Sequence, residues 1–541
     1  MTLADFEPLT PAEQAVIAGL GTGHVTVLGD GDMPGEDAGD DRRVRAILIR
    51  WLALGAPGDK AVRLHEHGLQ IAGALVVSDG RRDPALKGST PGLDLEGCRL
   101  DKDLKLLSSR FEDRPVLRGA KLDTLNLQGS HFPGLFADRL EARGNVFLHG
   151  VQATGEVRLL GARIGGDLDC VGGRFQNPHE LEKEKINSGS TGKALIADGL
   201  AVRGSVFLRG VETKGAVRLV GARIGGNLEC DGGRFENLGG KALSADGARV
   251  GGTLFWRNGS TAIGALDLTA TEFGSICDDP ACWPEPGDLL LDRCRYGAFT
   301  GRGISAAERI RWLDLQDPAR FGKEFWPQPW EHCAQVLREM GHPEDAREVL
   351  IAKEKRQRRA RRARLRREVA GTWRHAGIPL QVGLDWLLGA LIAYGHKPLR
   401  ALGWLAGMWL FGAVLFGIAH DDGGFKPNNA FILSKPEWAQ CAPGGERRGD
   451  QPSTLACYLD QPEAAGYPEF NAALYSLDTL VPVVDLEVQD YWVPDERTAR
   501  WARIYLWGHI AMGWFLALLA VAGFSGLIDT RATHDRKGLP A

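Results

Sequence analysis

Residues 143–177 read RGNVFLHGVQATGEVRLLGARIGGDLDCVGGRFQN, and residues 203–237 read RGSVFLRGVETKGAVRLVGARIGGNLECDGGRFEN. Roughly two positions in three are identical between these near-copies, and self-similarity at a fixed offset is typical of a repeat architecture. Inside each copy a shorter unit recurs about every 11 residues, the length of one small supersecondary element. The chain is therefore predicted to stack equivalent units on one another.

The repeated unit has the pattern of a short strand followed by a corner. Val157 and Leu159 are apolar residues at alternate positions, which predicts a strand with one apolar face. The pair Gly165-Gly166 predicts a corner with positive φ, since glycine has no Cβ to clash there. Such a short strand buries its apolar face only when neighbouring copies stack. We predict a mainly β fold, a right-handed parallel β-solenoid in which two units make one coil.

The solenoid is predicted over residues 61–276, after a helical N-terminal cap at residues 1–60. Thr10, Pro11 and Glu13 have the spacing of a capping box with proline at the first helical position. Arg42–Leu54 (RRVRAILIRWLAL) has helical periodicity, and this helix is expected to cover the apolar end of the stack. The less regular early coils, such as GLDLEGCRL and LNLQGSHF, resemble pentapeptide-repeat and related bacterial β-solenoids. The Ala-Asn/Asp-Leu signature of that family is mostly absent here.

Six cysteines of this region are predicted to have no chemical role. Three occupy small apolar positions of the repeat, where cysteine behaves as a small hydrophobe. The other three lie in a predicted linker at residues 277–304, and their spacing is wider than zinc sites usually show. We therefore expect no metal site, and we interpret the first set as core residues: Cys98, Cys170 and Cys230, followed by Cys277, Cys282 and Cys294 in the linker.

Residues 305–352 are predicted to form a helical hairpin with its break at Gly341-His342-Pro343. Residues 353–396 follow as a basic helix and an interfacial amphipathic helix, the latter at Ile378–Tyr394. Basic runs bind nucleic acid or anionic lipid, and the position of this one beside apolar segments favours lipid. We expect no nucleic-acid partner. The lipid-facing cluster is predicted to comprise Arg358, Arg359, Arg361, Arg362, Arg366 and Arg367.

Residues 397–541 are predicted to be a membrane domain, with spans at about residues 400–419 and 504–528. Basic residues flank both outer ends of the spans, so both termini are expected on the cytoplasmic side of a multi-pass cell-membrane protein. The loop at residues 420–503 is then extracytoplasmic. Because that compartment is oxidising, we predict a disulfide between Cys441 and Cys457.

The segment Phe470–Trp492, FNAALYSLDTLVPVVDLEVQDYW, resembles the re-entrant segment of two-helix potassium-type channels. The resemblance implies a pore helix ending near Thr479, but Leu-Val-Pro-Val-Val-Asp stands where the filter Thr-Val-Gly-Tyr-Gly belongs, so potassium selectivity is not implied. Carboxylate rings facing cations are one interpretation, and an amphipathic helix on the outer leaflet is the other. The candidate pore residues are Tyr475, Ser476, Asp478, Thr479 and Asp485.

The whole chain resembles a group of bacterial membrane proteins that combine such repeats with two C-terminal spans and the motif YSLDTLVPVVDL. Three functions follow as hypotheses. The first is a membrane-anchored interaction or scaffold protein whose cytoplasmic solenoid binds a protein partner. The second is an oligomeric channel or pore gated through the solenoid, since two spans per chain cannot enclose a path alone. The third, a membrane-associated oxidoreductase, is a label such chains sometimes carry. No CxxC or phosphate-binding glycine loop supports it, so we expect no enzyme and no cofactor.

Overall fold

The computed structural model describes residues 1–78, 92–177, 192–368 and 399–524. The chain divides into two compact units, Met1–Ala360 and Arg361–Ala541. The predicted parallel β-solenoid is confirmed, with about eight turns, helices on its N-terminal and C-terminal sides, and two apolar helices near the C-terminus. The predicted interfacial helix at residues 378–394 lies outside the described residues.

The solenoid strands of the first unit are mostly two or three residues long. Labelled β1–β30 in chain order, they are Thr26–Val27, Arg43–Arg45, Leu69–Ala72, Leu75–Val77, Leu104–Leu107, Arg110–Phe111, Lys121–Leu122, Leu125–Asn126, His131–Phe132, Leu135–Phe136, Glu141–Ala142, Val146–Phe147, Gln152–Ala153, Val157–Arg158, Arg163–Ile164, Leu168–Asp169, Arg174–Gln176, Lys193–Ile196, Ala201–Val202, Val206–Phe207, Glu212–Lys214, Ala216–Arg218, Arg223–Ile224, Leu228–Glu229, Arg234–Ser244, Arg249–Trp256, Thr261–Asp267, Glu272–Asp278, Leu289–Leu290 and Arg295–Tyr296.

The helices of both units, labelled α1–α12 in chain order, are Pro11–Gly19, Ala46–Ala53, Ala306–Asp314, Pro327–Glu339, Pro343–Glu368, Leu399–Asp421, Ala430–Leu433, Pro436–Gln440, Thr454–Leu459, Ala472–Leu480, Val488–Tyr491 and Arg500–Phe524. Short 3₁₀ helices lie at Leu3–Phe6, Pro280–Cys282, Pro318–Phe321 and Pro462–Ala464. In the second unit, β31 (Phe425–Pro427) pairs antiparallel with β32 (Trp492–Pro494).

Each solenoid strand pairs in parallel with the equivalent strand of the next coil. Glu141 pairs with Lys121 on one side and with Arg163 on the other. Equivalent residues of neighbouring regular coils, such as Asn145 and Asp167, are 22 residues apart. One coil therefore consists of two 11-residue units, as the sequence predicts.

The stack of coils extends beyond residues 61–276 at both ends. At the N-terminal end β1 pairs with β3 and β2 pairs with β4. At the C-terminal end β27 pairs with β29, and β28 pairs with β30. Parts of the predicted cap and of the predicted linker therefore belong to stacked coils. Their two- or three-residue strands are too short to show a repeat pattern in the sequence.

The alternating apolar residues point into the solenoid core. Val157 and Leu159 are fully buried, which confirms the predicted strand face. Cys170 and Cys230 are also fully buried, and burial raises the pKa of both thiols far above its usual range. These two thiols therefore pack as core residues, whereas Cys98 is only half-buried.

The predicted role of the Gly165-Gly166 pair was wrong. Positive φ occurs four residues earlier, at Gly161 (φ 62°), and the pair itself is not in the left-handed region. A Cβ on Gly165 would lie 2.0 Å from the carbonyl oxygen of Arg143, and one on Gly166 would lie 1.8 Å from Oδ1 of Asn145. The pair is glycine because consecutive coils approach closely there.

Helices close both ends of the stack. The predicted capping box of α1 is confirmed, with Thr10 Oγ1 accepting the Glu13 N–H at 3.1 Å. The second helix begins at Ala46 rather than Arg42, because residues 43–45 form β2. At the other end Arg309 of α3 is fully buried and binds both carboxylate oxygens of Asp278, at 2.7 and 2.9 Å. This ion pair fixes α3 to the last coils.

The second unit contains α6 and α12, which are long and apolar enough to cross a membrane. Mean hydropathy is 1.9 over Arg400–Asp421 and 1.7 over Arg500–Val521. Their outward side chains include exposed Phe411, Val414 and Leu518. The last residues of the second predicted span, 525–528, lie outside the described part of the chain.

Candidate functional site

The short helix α10 carries four of the five predicted pore residues and packs between α6 and α12. Asn471 starts the helix, because its side-chain oxygen accepts the N–H groups of Ala473 and Leu474, each at 3.0 Å. Proline at position 482 follows its C-terminal end, where the chain can no longer continue as a helix. The sequence therefore fixes both ends of this nine-residue helix.

Buried polar contacts hold α10 to both apolar helices. Ser476 donates its hydroxyl to the carbonyl oxygen of Trp409 at 2.8 Å, and the Trp409 indole N–H donates to the Ala473 carbonyl at 2.8 Å. On the other side His509 Nε2 lies 3.1 Å from the Ser476 carbonyl oxygen, while its Nδ1 lies 3.1 Å from the Tyr505 hydroxyl. His509 is 1% exposed. It therefore contacts α10 directly, a role the sequence did not indicate.

Two glycines allow this close approach. A Cβ on Gly412 of α6 would lie 2.4 Å from the Ser476 hydroxyl oxygen, and a Cβ on Gly513 of α12 would lie 1.7 Å from the Leu480 carbonyl oxygen. Sequence reasoning missed both glycines. The glycines with a recognisable spacing are Gly403 and Gly407 of α6, which form a GxxxG pattern typical of helix association. A Cβ on either of those would meet nothing within 4 Å.

The two predicted carboxylates occupy different environments. Asp478 is 4% exposed, and its two oxygens accept the N–H groups of Leu486 and Gln489 at 2.7 and 2.9 Å. Asp478 thereby anchors the non-helical segment that follows α10. Asp485 lies on that segment and is exposed, with one oxygen accepting the Glu487 N–H at 3.1 Å. Of the two, only Asp485 offers its carboxylate to solvent.

Tyr475 and Thr479 face the interior of the second unit. The Tyr475 ring is 1% exposed and contacts the rings of Phe416 and Phe425, with centroids 4.9 and 5.3 Å apart. The Thr479 hydroxyl donates to the Tyr475 carbonyl at 2.8 Å, a bond within the helix. Both side chains support the position of α10 from inside the unit.

The loop between the apolar helices has its own small core. Cys441 and Cys457 form a disulfide with a Cα–Cα distance of 5.6 Å, joining the segments around α8 and α9. Beside it Tyr467 donates its hydroxyl to the Tyr491 carbonyl oxygen. Burial, with a smaller contribution from Tyr458, raises the pKa of Tyr467 to about 12, so this donor keeps its proton.

The predicted basic cluster lies on α5, which runs without a break from the hairpin to Glu368. Arg359 and Arg361 are exposed. Arg358 is half-buried and lies 3.5 Å from Glu354, one helical turn earlier. Arg362 is half-buried, and Arg366 and Arg367 belong to the last turns of the helix. The helix thus presents guanidinium groups to solvent.

Metal-ligating side chains are dispersed in the described part of the chain. Within it no group of three or more His, Cys, Asp and Glu side chains is arranged to hold a metal ion.

We found no family model, no curated protein and no solved structure that matches the chain.

Proposed function

We propose that the second unit forms a cation-conducting pore from several copies of the chain, with the segment after α10 lining the path. The observation that carries this proposal is the depth of α10. Ser476 in the middle of α10 lies against Gly412, and Leu480 at its C-terminal end lies against Gly513. Both glycines are close to the midpoints of α6 and α12. A helix lying on the outer leaflet would contact only the ends of the two spans.

The length of α10 agrees with a re-entrant position. Its nine residues rise roughly 14 Å, less than half of a hydrocarbon core about 30 Å thick. The chain then returns through α11 and β32 to the start of α12. When α6 and α12 cross a bilayer, α10 enters from one side and ends near its middle.

At that depth the segment Val481–Glu487 has to be surrounded by protein or water rather than by lipid. It is non-helical, and Val483 at its tip is 89% exposed. Irregular backbone is tolerated at membrane depth only where protein buries it or where it lines a water-filled cavity. Several copies around an axis satisfy both conditions, and the water-filled centre becomes the path.

The charge of this segment favours cations. Asp485 is exposed on this segment. In an assembly of several chains, the Asp485 side chains would together form a ring of carboxylates, which is a common selectivity element of cation channels. Potassium selectivity is not part of the proposal, since Pro482 replaces the glycine-containing filter. The exposed guanidinium groups of Arg359 and Arg361 suit contact with anionic lipid on the cytoplasmic face, where we also place both termini.

Cation flux from proteoliposomes tests the pore. We expect the wild-type chain to conduct small cations over anions, and Asp485→Asn to reduce that preference because the carboxylate ring is lost. Asp421→Asn is the matched control, since Asp421 is equally exposed but lies at the end of α6. Absence of flux from the wild-type chain, or unchanged selectivity in Asp485→Asn, would contradict the proposal.

The solenoid suggests a second function, binding of a protein partner. On one column of strands Phe147, Phe207 and Phe255 point outward and alternate, coil by coil, with Asp169 and Glu229. We call this row of alternating aromatic and acidic side chains the ladder. It suits a partner with alternating apolar and basic side chains, because its aromatic rings pack against apolar groups and its carboxylates attract basic ones.

Substitution of the three phenylalanines by alanine in the full chain should release a co-purified partner. Leu238→Ala, at a residue that is 72% exposed outside this ladder, should retain it. A partner held equally by both variants would rule out the ladder as its binding surface.

A further inference from the structure

A second column of strands carries a row of outward-facing, mostly charged side chains. Parallel register places one residue from each coil in this row. In order along the axis they are Arg99, Lys121, Glu141, Arg163, Ala201, Arg223, Arg249, Glu272 and Arg295.

Charges alternate in sign from Lys121 to Arg163 and from Arg249 to Arg295, whereas Arg99 lies opposite Lys121 and pairs with Asp101 at 3.1 Å. Glu141 lies 2.8 Å from Lys121 and 3.6 Å from Arg163, and Glu272 lies 3.2 Å from Arg249. Opposite charges on neighbouring strands stabilise a sheet, and like charges directly opposite each other destabilise it. Alternation is therefore the arrangement expected from folding stability alone.

The alternation fails in the middle of the row. Ala201 stands where a carboxylate would continue it, so Arg163 and Arg223 have no acidic residue between them. Arg223 lies directly opposite Arg249. Arg203, next to this position, is exposed, and among the described residues neither Arg203 nor Arg223 has a side-chain hydrogen bond or ion pair. Arg143, Arg163 and Arg249 have carboxylate partners in Asp123, Glu141 and Glu272, so the cations without a counter-charge here are Arg203 and Arg223.

The same place is a groove of about 870 Å³. Gly165, Gly225 and Gly251 occupy the equivalent position of three coils in its lining, and Arg203 occupies that position between Gly165 and Gly225. The charged lining comprises one glutamate and five arginines: Glu141, Arg143, Arg163, Arg203, Arg223 and Arg249. The whole chain has a formal charge of -4, so this concentration of arginine is local.

Another column of the same solenoid keeps the alternation. There Arg174, Glu212 and Arg234 follow one another in register, and Arg174 lies 3.3 Å from Glu212. The repeat architecture thus accommodates a carboxylate between arginines on neighbouring coils.

We propose that this arginine groove binds a phosphoryl-bearing anion, whose charge replaces the carboxylate missing at Ala201. Guanidinium groups bind phosphoryl oxygens through paired, charge-assisted hydrogen bonds. Neighbouring coils are about 4.8 Å apart, so arginines on successive coils reach a single phosphate or diphosphate group. Several guanidinium groups around one anion match the charge of a phosphoryl group better than that of a single carboxylate. The groove belongs to the first unit, and this binding does not depend on the pore.

Calorimetric titration of the full chain, held in phosphatidylcholine nanodiscs, with inorganic pyrophosphate tests the groove. We expect saturable binding that weakens as salt rises. The double variant Arg203→Ala/Arg223→Ala should lose about ten-fold or more in affinity, because two charge-assisted contacts are removed.

Ala201→Glu is the sharper variant, since it supplies the missing counter-charge from within the row. It should abolish pyrophosphate binding without lowering the melting temperature, which separates loss of the site from loss of the fold. Thr261→Glu adds the same charge beside Arg234 on the other column and should leave binding unchanged.

The phosphoryl group has two possible sources, and a second probe distinguishes them. Pyrophosphate binding indicates a soluble ligand. Capture of phosphatidic acid vesicles but not phosphatidylcholine vesicles, without pyrophosphate binding and abolished by Ala201→Glu, indicates a lipid headgroup. The proposal is overturned if the wild-type chain binds neither probe, or if Ala201→Glu binds as the wild type does.

Discussion

At the scale of single residues, the glycines of the repeat serve two separate physical needs. Gly161 has positive φ, which any L side chain would strain, whereas Gly165 leaves room for the carbonyl oxygen of Arg143 in the preceding coil. The sequence shows that both positions are glycine but not which need applies, because the second depends on an atom of another coil. Only the register of the coils distinguishes them.

Substituting Gly165 by alanine tests this close approach. The added Cβ would lie 2.0 Å from a backbone oxygen, so the coils must move apart, and we expect a loss of roughly 1–3 kcal/mol in the free energy of unfolding. Gly21→Ala is the control, since a Cβ there would meet nothing within 4 Å. Chemical denaturation measures both variants. Equal stability of the two would show that the coils do not need the glycine.

His332 gives the first unit a pH dependence. Burial chiefly, with a smaller effect of Arg295, lowers the pKa of its imidazole, whose Nε2 accepts the Tyr296 N–H at 2.8 Å. The unfolded chain, with an ordinary histidine pKa of about 6.5, therefore takes up the proton first. The neutral imidazole of His332 therefore stabilises the fold fully at pH values above the pKa of the unfolded chain. This stabilisation is lost as the pH falls from there towards the lower pKa of the folded chain.

Melting temperatures from pH 7.5 to 5.5 measure this effect. The wild-type chain should lose stability over that interval, and His332→Gln, which keeps an acceptor but cannot titrate, should lose less. A His332→Gln variant with the full wild-type pH dependence would assign the effect to other groups.

At the scale of elements, α10 depends on contacts that a linear sequence does not display. Its length and both of its ends are predictable, from Asn471 and from the proline two residues after Leu480. Its depth is not, because depth is set by Gly412 and Gly513 on helices distant in sequence. Similarly, Asp478 and Asp485 look equivalent in YSLDTLVPVVDL, yet one anchors backbone N–H groups and the other is exposed.

Two glycines of α12 make a matched pair of variants. A Cβ on Gly513 would lie 1.7 Å from the Leu480 carbonyl oxygen, whereas one on Gly508 would meet nothing within 4 Å. Gly513→Ala should therefore displace α10, lower thermal stability and abolish flux. Gly508→Ala should be neutral or stabilising by up to about 1 kcal/mol, since alanine favours helix. If Gly513→Ala still conducts cations, the close contact between α10 and Gly513 is not needed for flux.

At the scale of the whole molecule, the sequence predicts the architecture better than the function. The repeat period predicts the coil, and the apolar runs predict the two long helices, because both signals are local and periodic. The beginning of the stack at Thr26 and the missing counter-charge at Ala201 follow only from pairing between coils. The proposed functions depend on such pairings, and on an assembly of several copies, more than on any motif.

The measurement that tests the pore most directly is the native mass of the full chain in nanodiscs. In the proposed pore, the non-helical backbone at Val481–Glu487 and the exposed side chain of Val483 need neighbouring copies around them. We predict a ring of several copies, with four expected. A chain that remains monomeric or dimeric in the bilayer would contradict the pore, because two or four spans do not enclose a path for ions.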